Sequence, residues 1–204
     1  MIFWRLRQIF VLSLALFWGC DDMTFRVGTA VQSGRQALLR KDCVQALPHF
    51  EEAARLDPNY VYRSVHFSQG IWSYVGRCQY AGGALAQARQ SLELALTKDK
   101  DDILALLYLG ATLLRSGDDG RGQSELASAL QSLHDWIENL VASRSAESYW
   151  DPNKQIRSEI KKTLALMAAA GGERARISAN AEWLGAEVDE EIERVRREES
   201  QRKG

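Results

Sequence analysis

The sequence predicts an all-α protein, and three observations support that prediction. Only three prolines occur in 204 residues, and the chain is rich in Ala, Leu, Glu, Arg and Gln, which favour helix over strand. Apolar residues recur at helical spacing in the C-terminal half. Small and large residue types also recur at fixed shifts along the chain, as they do in repeat proteins. An apolar content of 46% is enough for a core and argues against disorder.

The charge of the chain is nearly balanced. Twenty-six Lys and Arg stand against 27 Asp and Glu, so the formal net charge is −1. Such a chain has no global field that would draw it to nucleic acid or to an anionic membrane, and we expect no nucleic-acid partner. The three Cys and three His are too few and too scattered for a disulfide framework or a typical zinc site.

The N-terminus has the features of an export signal. Arg5 and Arg7 precede an apolar run from Ile9 to Trp18, which matches a basic flank followed by a short apolar core. The run has ten residues, whereas a membrane-spanning helix needs about 20. We therefore expect residues 1–19 to be a signal peptide.

Cys20 directly follows Gly19 at the end of that run, an arrangement that resembles the bacterial lipobox. The resemblance implies cleavage before Cys20 and lipidation of this residue, which would anchor the mature chain to a membrane, with residues 20–26 as a lipid-anchored linker. By the same resemblance, Asp21 favours the inner membrane over the outer. Trp18 is bulkier than the usual residue before the glycine, and cleavage by an ordinary signal peptidase is the alternative.

A pattern of small and large residues occurs three times between residues 27 and 136. Glycines mark equivalent positions at Gly34, Gly76 and Gly110, which are 42 and 34 residues apart. A small residue at a helix crossing lets two backbones approach, while a large apolar residue fills the space beside them. The same two shifts relate three further sets of residues: Ala46, Ala88 and Gly122; Phe50, Leu92 and Leu126; Ala53, Ala95 and Ala129.

The 34-residue shift and this order of residues resemble the tetratricopeptide repeat, whose unit is a helical hairpin. The resemblance implies an α-α superhelix of about three hairpins over residues 27–142, because stacking buries the face that a single hairpin leaves exposed. It also implies a concave groove, lined by the first helices, for a peptide or a partner's helix. The alternative is that apolar groove residues pack against the terminal helices. The matching groove positions are Arg35, Leu38, Leu39, Arg77, Tyr80, Ala81, Ala111, Leu114 and Arg115.

Eight extra residues separate the first repeat from the second. We expect them to extend the next helix, so that it runs unbroken from about Tyr60 to Ala81 and projects beyond the stack. This extension would carry Tyr60, Tyr62 and Phe67. Aromatic side chains on a surface favour a partner-binding role, and packing against the C-terminal helices is the alternative.

Further helices are predicted beyond the repeats. The last repeat helix continues to about Ala142, since apolar residues keep helical spacing, and Asp151 and Pro152 begin another helix. Residues 151–200 would form a polar-backed cap that closes the end of the array, with a coiled-coil partner site as the alternative. The last helix has an apolar side made of Ile177, Leu184, Val188, Ile192 and Val195.

No catalytic or metal-binding pattern stands out in the sequence. The three histidines have no companion at ligand spacing, and there is no glycine-rich nucleotide loop, so we expect no catalysis, no cofactor and no metal. Cys43 and Cys78 fall at ends of neighbouring antiparallel helices. Export would place them in an oxidising compartment, where a Cys43–Cys78 disulfide is one hypothesis and two buried thiols the other.

Together these features predict a lipid-anchored, periplasm-facing repeat protein that acts as an adaptor. We expect it to bind an envelope protein or peptide and to aid the assembly of a complex, without catalysis. The alternative in the interaction class is an accessory lipoprotein of a periplasmic solute-uptake or secretion system, with a small-ligand pocket enclosed by the terminal helices. An enzyme with an unrecognised site is the alternative from another class.

Overall fold

The computed structural model describes residues 18–64, 66–143, 150–169 and 173–203. Within these ranges the fold is all-α, as predicted, with eight helices and one two-stranded antiparallel sheet. The helices are α1 (Trp18–Leu39), α2 (Cys43–Leu56), α3 (Ile71–Ala81), α4 (Leu85–Lys98), α5 (Ile103–Arg115), α6 (Asp119–Ala142), α7 (Gln155–Ala168) and α8 (Arg174–Lys203). The strands are β1 (Val61–Ser64) and β2 (Phe67–Gly70).

The described chain starts with α1, and residues 1–17 of the expected signal peptide lie outside the described residues. Residues 20–26, which we expected to form a linker, belong to the first turns of α1. The reason is that α1 already has a buried side at Val27 and Val31 and simply continues in the N-terminal direction. Lipidation of Cys20 stays a prediction. Among the described helices, none combines the length and the apolar character needed to cross a bilayer.

Six of the helices form three antiparallel hairpins, α1–α2, α3–α4 and α5–α6. In each hairpin a glycine of the first helix faces a large apolar side chain of the second, and a Cβ added to the glycine would overlap that side chain. These close approaches recur with the spacing found in the sequence. The pairs are Gly34 with Phe50, Gly76 with Leu92 and Gly110 with Leu126, for which the added Cβ would lie at 2.6, 2.5 and 2.7 Å.

The hairpins stack in chain order, with α2 against α3 and α4 against α5. Aspartates cap the starts of two helices. Asp42 accepts a hydrogen bond from the backbone N–H of Gln45 at 2.9 Å, and Asp102 accepts one from Ala105 at 2.9 Å. These bonds satisfy backbone donors that a helix start leaves unpaired.

The insertion between the first and second hairpins is a β-hairpin, so the prediction of an unbroken helix over Tyr60–Ala81 is wrong. β1 pairs with β2 in antiparallel register, and α3 begins only after the sheet ends. The residues explain the difference, because Val61, Tyr62 and Phe67 are β-branched or aromatic and favour strands. His66 adopts a φ of 64° in the turn, a left-handed conformation that a helix cannot contain.

Aromatic contacts hold the β-hairpin against the C-terminal half. Phe67 is 5% exposed, and its ring centroid lies 5.4 Å from that of Trp136 and 6.5 Å from that of Trp150. The two tryptophans also contact each other, at 4.7 Å. Phe67 is therefore a core residue, which corrects our expectation that it belongs to an exposed binding surface.

The C-terminal region contains the helices that the sequence predicts. α6 ends at Ala142, and α7 begins at Gln155 rather than at Asp151. Asp151 nevertheless organises the start of α7, because its carboxylate accepts hydrogen bonds from the backbone of Ile156 and Arg157 at 3.0 and 3.1 Å. The predicted apolar side of α8 is buried at Ile177, Leu184, Val188, Ile192 and Val195.

Helix α8 does not cap the end of the array as we expected. It contacts α1, α5 and α7, and Asp189 of α8 forms an ion pair with Arg77 of α3. The length of α8 explains this position, since 30 helical residues span about 45 Å at 1.5 Å per residue. The apolar side of α8 is long, and it is buried completely only when the helix crosses all three hairpins. The end of one hairpin would cover only part of it.

Candidate functional site

The predicted groove residues converge on the surface where α8 lies across α1, α3 and α5, which we call the first-helix face. α8 runs from the third hairpin to the first. Near its start, Arg174 pairs with Asp119 of α6 at 3.2 Å. Towards its end, Glu193 pairs with Arg35 of α1 at 2.6 Å. The chain thus covers with its own helix the face that the repeat resemblance assigned to a partner.

Two buried ion pairs join α8 to this face. Arg35 Nη2 donates a hydrogen bond to Glu193 Oε1 at 2.6 Å, and Arg77 Nη1 donates one to Asp189 Oδ2. All four side chains are less than a tenth exposed. The arginines are 42 residues apart, like the first two glycines of the repeat, and the acids are one helical turn apart. Equivalent arginines of successive hairpins therefore meet carboxylates on successive turns of α8.

A tyrosine of the following hairpin lies beside each arginine. Arg35 Nη1 donates a hydrogen bond to Tyr74 Oη at 2.5 Å, and the guanidinium carbon of Arg77 lies 4.9 Å from the ring centroid of Tyr108. The two tyrosines are 34 residues apart and so occupy equivalent repeat positions. Tyr62 of β1 covers Arg35, with 3.8 Å from guanidinium carbon to ring centroid. Aromatic faces attract a desolvated cation, so these rings help to hold the buried arginines.

The electrostatic surroundings keep the arginines charged and the tyrosines neutral. Burial by itself lowers the pKa of Arg35 and Arg77, but neighbouring tyrosines and acids outweigh burial and raise both pKa values. Burial is the main reason why the pKa values of Tyr74 and Tyr108 lie well above the ordinary tyrosine value. At neutral pH the face therefore offers fixed positive charges to α8.

A half-exposed contact extends this pattern towards the third hairpin. Tyr80 Oη donates a hydrogen bond to Glu182 Oε1 at 2.7 Å, and Arg115 lies 4.6 Å from the Tyr80 ring centroid and 3.9 Å from Glu182. Burial, followed by the bond to Glu182, raises the pKa of Tyr80. Glu182, Asp189 and Glu193 stand at positions i, i+7 and i+11 and so share one side of α8.

Apolar residues of the predicted groove are also covered by the chain. Leu38 and Leu114 are 6% and 0% exposed, and Leu39 is half-buried. On the side of α8, Gly185 permits close approach, since an added Cβ would overlap the ring of Tyr108. Tyr80 and Leu114 share an apolar cluster with α7 and α8, which was our alternative to an open groove, whereas Leu38 is buried in the cluster of the first hairpin.

Tyr60 lines a separate apolar cavity of about 330 Å³ between the base of the β-hairpin, α3 and α4. Trp72 forms one wall, and its Nε1 donates a hydrogen bond to the carbonyl of Pro58 at 3.0 Å. Lys98 lies at the rim, where Nζ donates to Asn59 Oδ1 at 2.5 Å. No residue of α7 or α8 lines this cavity, so it is not the pocket enclosed by the terminal helices that the alternative function included.

Cys43 and Cys78 are neighbours, as their places in the helices suggest, and both are free thiols. The hydrogen bond between them lowers the pKa of Cys43 and raises that of Cys78. The positive charge of Arg77 lowers the Cys43 pKa further. Cys78 is buried and Cys43 is half-buried, so the hypothesis of two buried thiols holds only for Cys78, and the Cys43–Cys78 disulfide stays a prediction.

Several residues of the first-helix face are not among those predicted from the sequence. Tyr74 and Tyr108 could have been found, because the 34-residue shift that relates the glycines also relates these tyrosines. The acids of α8 were harder to find, since Glu and Asp on a long helix usually face solvent. The one sequence feature that could indicate them is the i, i+7, i+11 spacing of Glu182, Asp189 and Glu193, which places the three acids on one side of α8. This spacing can be interpreted only when the positions of the arginines are known.

No family model matches the chain, and no curated protein matches it. The described part of the chain contains no group of three or more His, Cys, Asp or Glu side chains arranged to hold a metal ion. The first-helix face combines repeated cations, tyrosines and buried apolar residues. Chemically, this arrangement binds an amphipathic helix that carries carboxylates.

Proposed function

We propose that this chain is a lipid-anchored, periplasm-facing helical-repeat scaffold of the tetratricopeptide type, which binds an envelope protein and aids the assembly of a complex. The observation that carries the proposal is the first-helix face, where repeated arginine–tyrosine pairs hold a helix. A surface of this kind recognises protein elements through charge and apolar contact. The N-terminal signal pattern and the Gly19–Cys20 pair support export and anchoring.

In-cell photo-crosslinking tests the scaffold role. A photo-reactive residue is placed in the full chain at Ala81, an exposed position of the predicted groove, or at Tyr60 in the apolar cavity, and crosslinked proteins are isolated from detergent-solubilised membranes. We expect one envelope protein to be enriched from at least one of these sites. Glu51, an exposed polar residue on α2, is the matched control position. Failure to enrich any protein over this control would contradict the scaffold proposal.

The anchor is tested separately by the Cys20→Ala variant. Wild-type chain should incorporate an alkyne-labelled fatty acid and fractionate with membranes, whereas Cys20→Ala should lose the label and leave the membrane fraction. Cys43→Ala is the matched control, since it removes a different thiol and should keep the label. An unlabelled wild-type chain would disprove lipidation without affecting the binding proposal.

A second candidate is an accessory role in solute uptake or secretion, and the apolar cavity beside Tyr60 and Trp72 favours it. A volume of about 330 Å³ lies at the low end of the range for small-molecule sites. A small ligand bound there should alter the fluorescence of Trp72 and raise the melting temperature, and Tyr60→Ala should weaken both effects. A screen of apolar small molecules in which neither effect occurs would contradict this role.

A further inference from the structure

The first-helix face imposes two requirements on any helix that it holds. Carboxylates must stand at i, i+7 and i+11, as Glu182, Asp189 and Glu193 do, in order to meet Tyr80 with Arg115, then Arg77, then Arg35. A stripe of apolar residues must run beside these acids, as it does on α8. Charge spacing and apolar patterning together define a ligand much more narrowly than either feature alone.

The fit of α8 to this face is incomplete. Two polar atoms at the contact, Arg35 Nε and Asp189 Oδ1, are buried without a hydrogen-bond partner among the described residues. A buried polar atom without a partner weakens the contact that buries it. Buried ion pairs also add little net stability, because desolvation offsets their attraction, although they strongly select the matching charge. A helix that gives Arg35 Nε a partner and brings no unpaired carboxylate oxygen of its own would therefore bind this face more tightly than α8 does.

We propose that the first-helix face is the partner-binding site, that the partner supplies an amphipathic helix with carboxylates at i, i+7 and i+11, and that this helix replaces α8. This inference rests on the proposed scaffold function and adds to it the chemistry of the partner element. All three hairpins precede α8 in the chain, so α8 can leave the face without unthreading any of them. The partner must compete with a tethered helix, so only a closely matched sequence succeeds.

A peptide with the sequence of residues 174–203 is the probe, labelled with a fluorophore and added to the full-length chain. The receptor is either wild type or a Leu184→Ala variant, which weakens the apolar hold of the chain's own α8 and leaves every arginine of the face unchanged. We expect the peptide to bind the Leu184→Ala chain at least tenfold more tightly than wild type, because α8 then competes less well. Equal binding to both receptors, or no binding to either, would overturn the proposal.

Matched peptides test the acid spacing on the same receptor. A peptide with Asp189→Asn and Glu193→Gln should bind at least tenfold more weakly than the unmodified peptide. A control peptide with Glu198→Gln and Glu199→Gln carries the same change of net charge and should bind as the unmodified peptide does, because Glu198 pairs with Arg194 of α8 itself. If the two double variants bind equally, attraction by net charge alone explains the binding, and the proposed recognition is wrong.

Hydrogen exchange of the wild-type chain gives a test that does not depend on whether the variants fold. If α8 is replaceable, its amides should exchange through an opening that leaves α5 protected, and excess unmodified peptide should increase exchange in α8. If α8 and α5 exchange only together, through global unfolding, α8 is a permanent part of the core. That result would overturn the replacement proposal.

The outcomes also separate this inference from the scaffold proposal. Capture of an envelope protein by crosslinking, together with failure of the peptide to bind, would leave the scaffold role standing and overturn the replacement of α8. Peptide binding with the predicted acid dependence, together with failure of every capture experiment, would support the specificity of the face and overturn the scaffold role.

Discussion

Three glycines determine how closely the helices of each hairpin approach. Gly34, Gly76 and Gly110 each face a large apolar side chain of the antiparallel helix, within a distance that a further carbon atom would not allow. The sequence could predict this contact, because it depends only on residue size and on spacing along the chain. It could not predict the arginine–carboxylate pairs, because Arg77 and Asp189 are 112 residues apart and their pairing depends on the path of α8.

Replacement of Gly76 by alanine should lower the free energy of unfolding by about 1–3 kcal/mol, the usual result of overpacking. The added Cβ would lie 2.5 Å from Leu92 Cγ, so the leucine must move. Gly28→Ala is the control, since its Cβ would meet nothing within 4 Å in the described part of the chain and alanine stabilises a helix by up to about 1 kcal/mol over glycine. Urea unfolding followed by circular dichroism measures both variants, and equal losses would contradict the packing role of Gly76.

Asp102 should give the protein a distinctive pH dependence. Burial raises its pKa to about 6, although Gly70, Ser73 and Ala105 donate hydrogen bonds to its carboxylate. Between the ordinary value of 3.8 and about 6, the folded chain holds a proton that the unfolded chain releases. This stabilising contribution is complete below pH 4 and is lost as the pH rises to about 6.

The Asp102→Asn variant cannot titrate and should lose this part of the pH dependence. Asp101→Asn, which alters an exposed neighbour, should keep the wild-type profile. Urea unfolding between pH 4 and pH 7 gives the free energy of unfolding for all three proteins. If the profiles of the two variants coincide, the pH dependence does not come from Asp102.

The helices were easier to predict than the β-hairpin. In the long segments with repeated glycine, alanine and leucine positions, many residues each favour a helix, so the prediction does not depend on any one of them. The end of α6 at Ala142, for example, follows from its apolar spacing alone. The segment after Tyr60 is short, and its aromatic residues fit a helix as well as a strand by periodicity. The strands form because Phe67 contacts Trp136 and Trp150, which are distant in sequence.

Replacement of Phe67 by alanine should destabilise the protein by about 3–5 kcal/mol, because it removes a buried ring from an aromatic cluster. Phe25→Ala is the control on another element, since Phe25 is 73% exposed and its loss should change stability by less than about 0.5 kcal/mol. Thermal unfolding measures the difference. If the Phe67→Ala protein has nearly wild-type stability but fails to bind a partner, Phe67 belongs to a binding surface, and its assignment to the core is wrong.

Across the whole molecule, the buried apolar residues form two clusters, and both stabilise the fold. One contains the first hairpin and a side of α3 that extends from Ile71 to Cys78. The other contains Tyr80 near the end of α3, then α4, the third hairpin, α7 and α8. The repeat spacing predicts the stacking that joins them. The route of α8 follows from the complete surface of three assembled hairpins, and no local pattern in residues 174–203 contains that information. For this reason the sequence led us to expect a cap.

The Arg77–Asp189 pair tests how α8 is joined to the array. Arg77→Leu should cost about 3–5 kcal/mol, because it leaves a buried carboxylate unpaired, whereas the double replacement Arg77→Leu with Asp189→Leu should recover most of that loss. The surface pair Arg176–Glu173, whose side chains are both more than half exposed, is the control, for which the same cycle should give about 0.5 kcal/mol or less. Denaturant unfolding of the variants supplies the cycle. A double variant as unstable as the sum of the single variants would show that the two residues act independently.

The return of α8 to the first hairpin also determines how the protein carries a mechanical load. Glu193, near the end of the described chain, is joined to Arg35 of α1 at 2.6 Å, so both ends of the described chain are attached to the same hairpin. A force that pulls these ends apart acts first on that junction, where α8 crosses α1. The second and third hairpins lie outside this force path and should stay folded until the junction breaks.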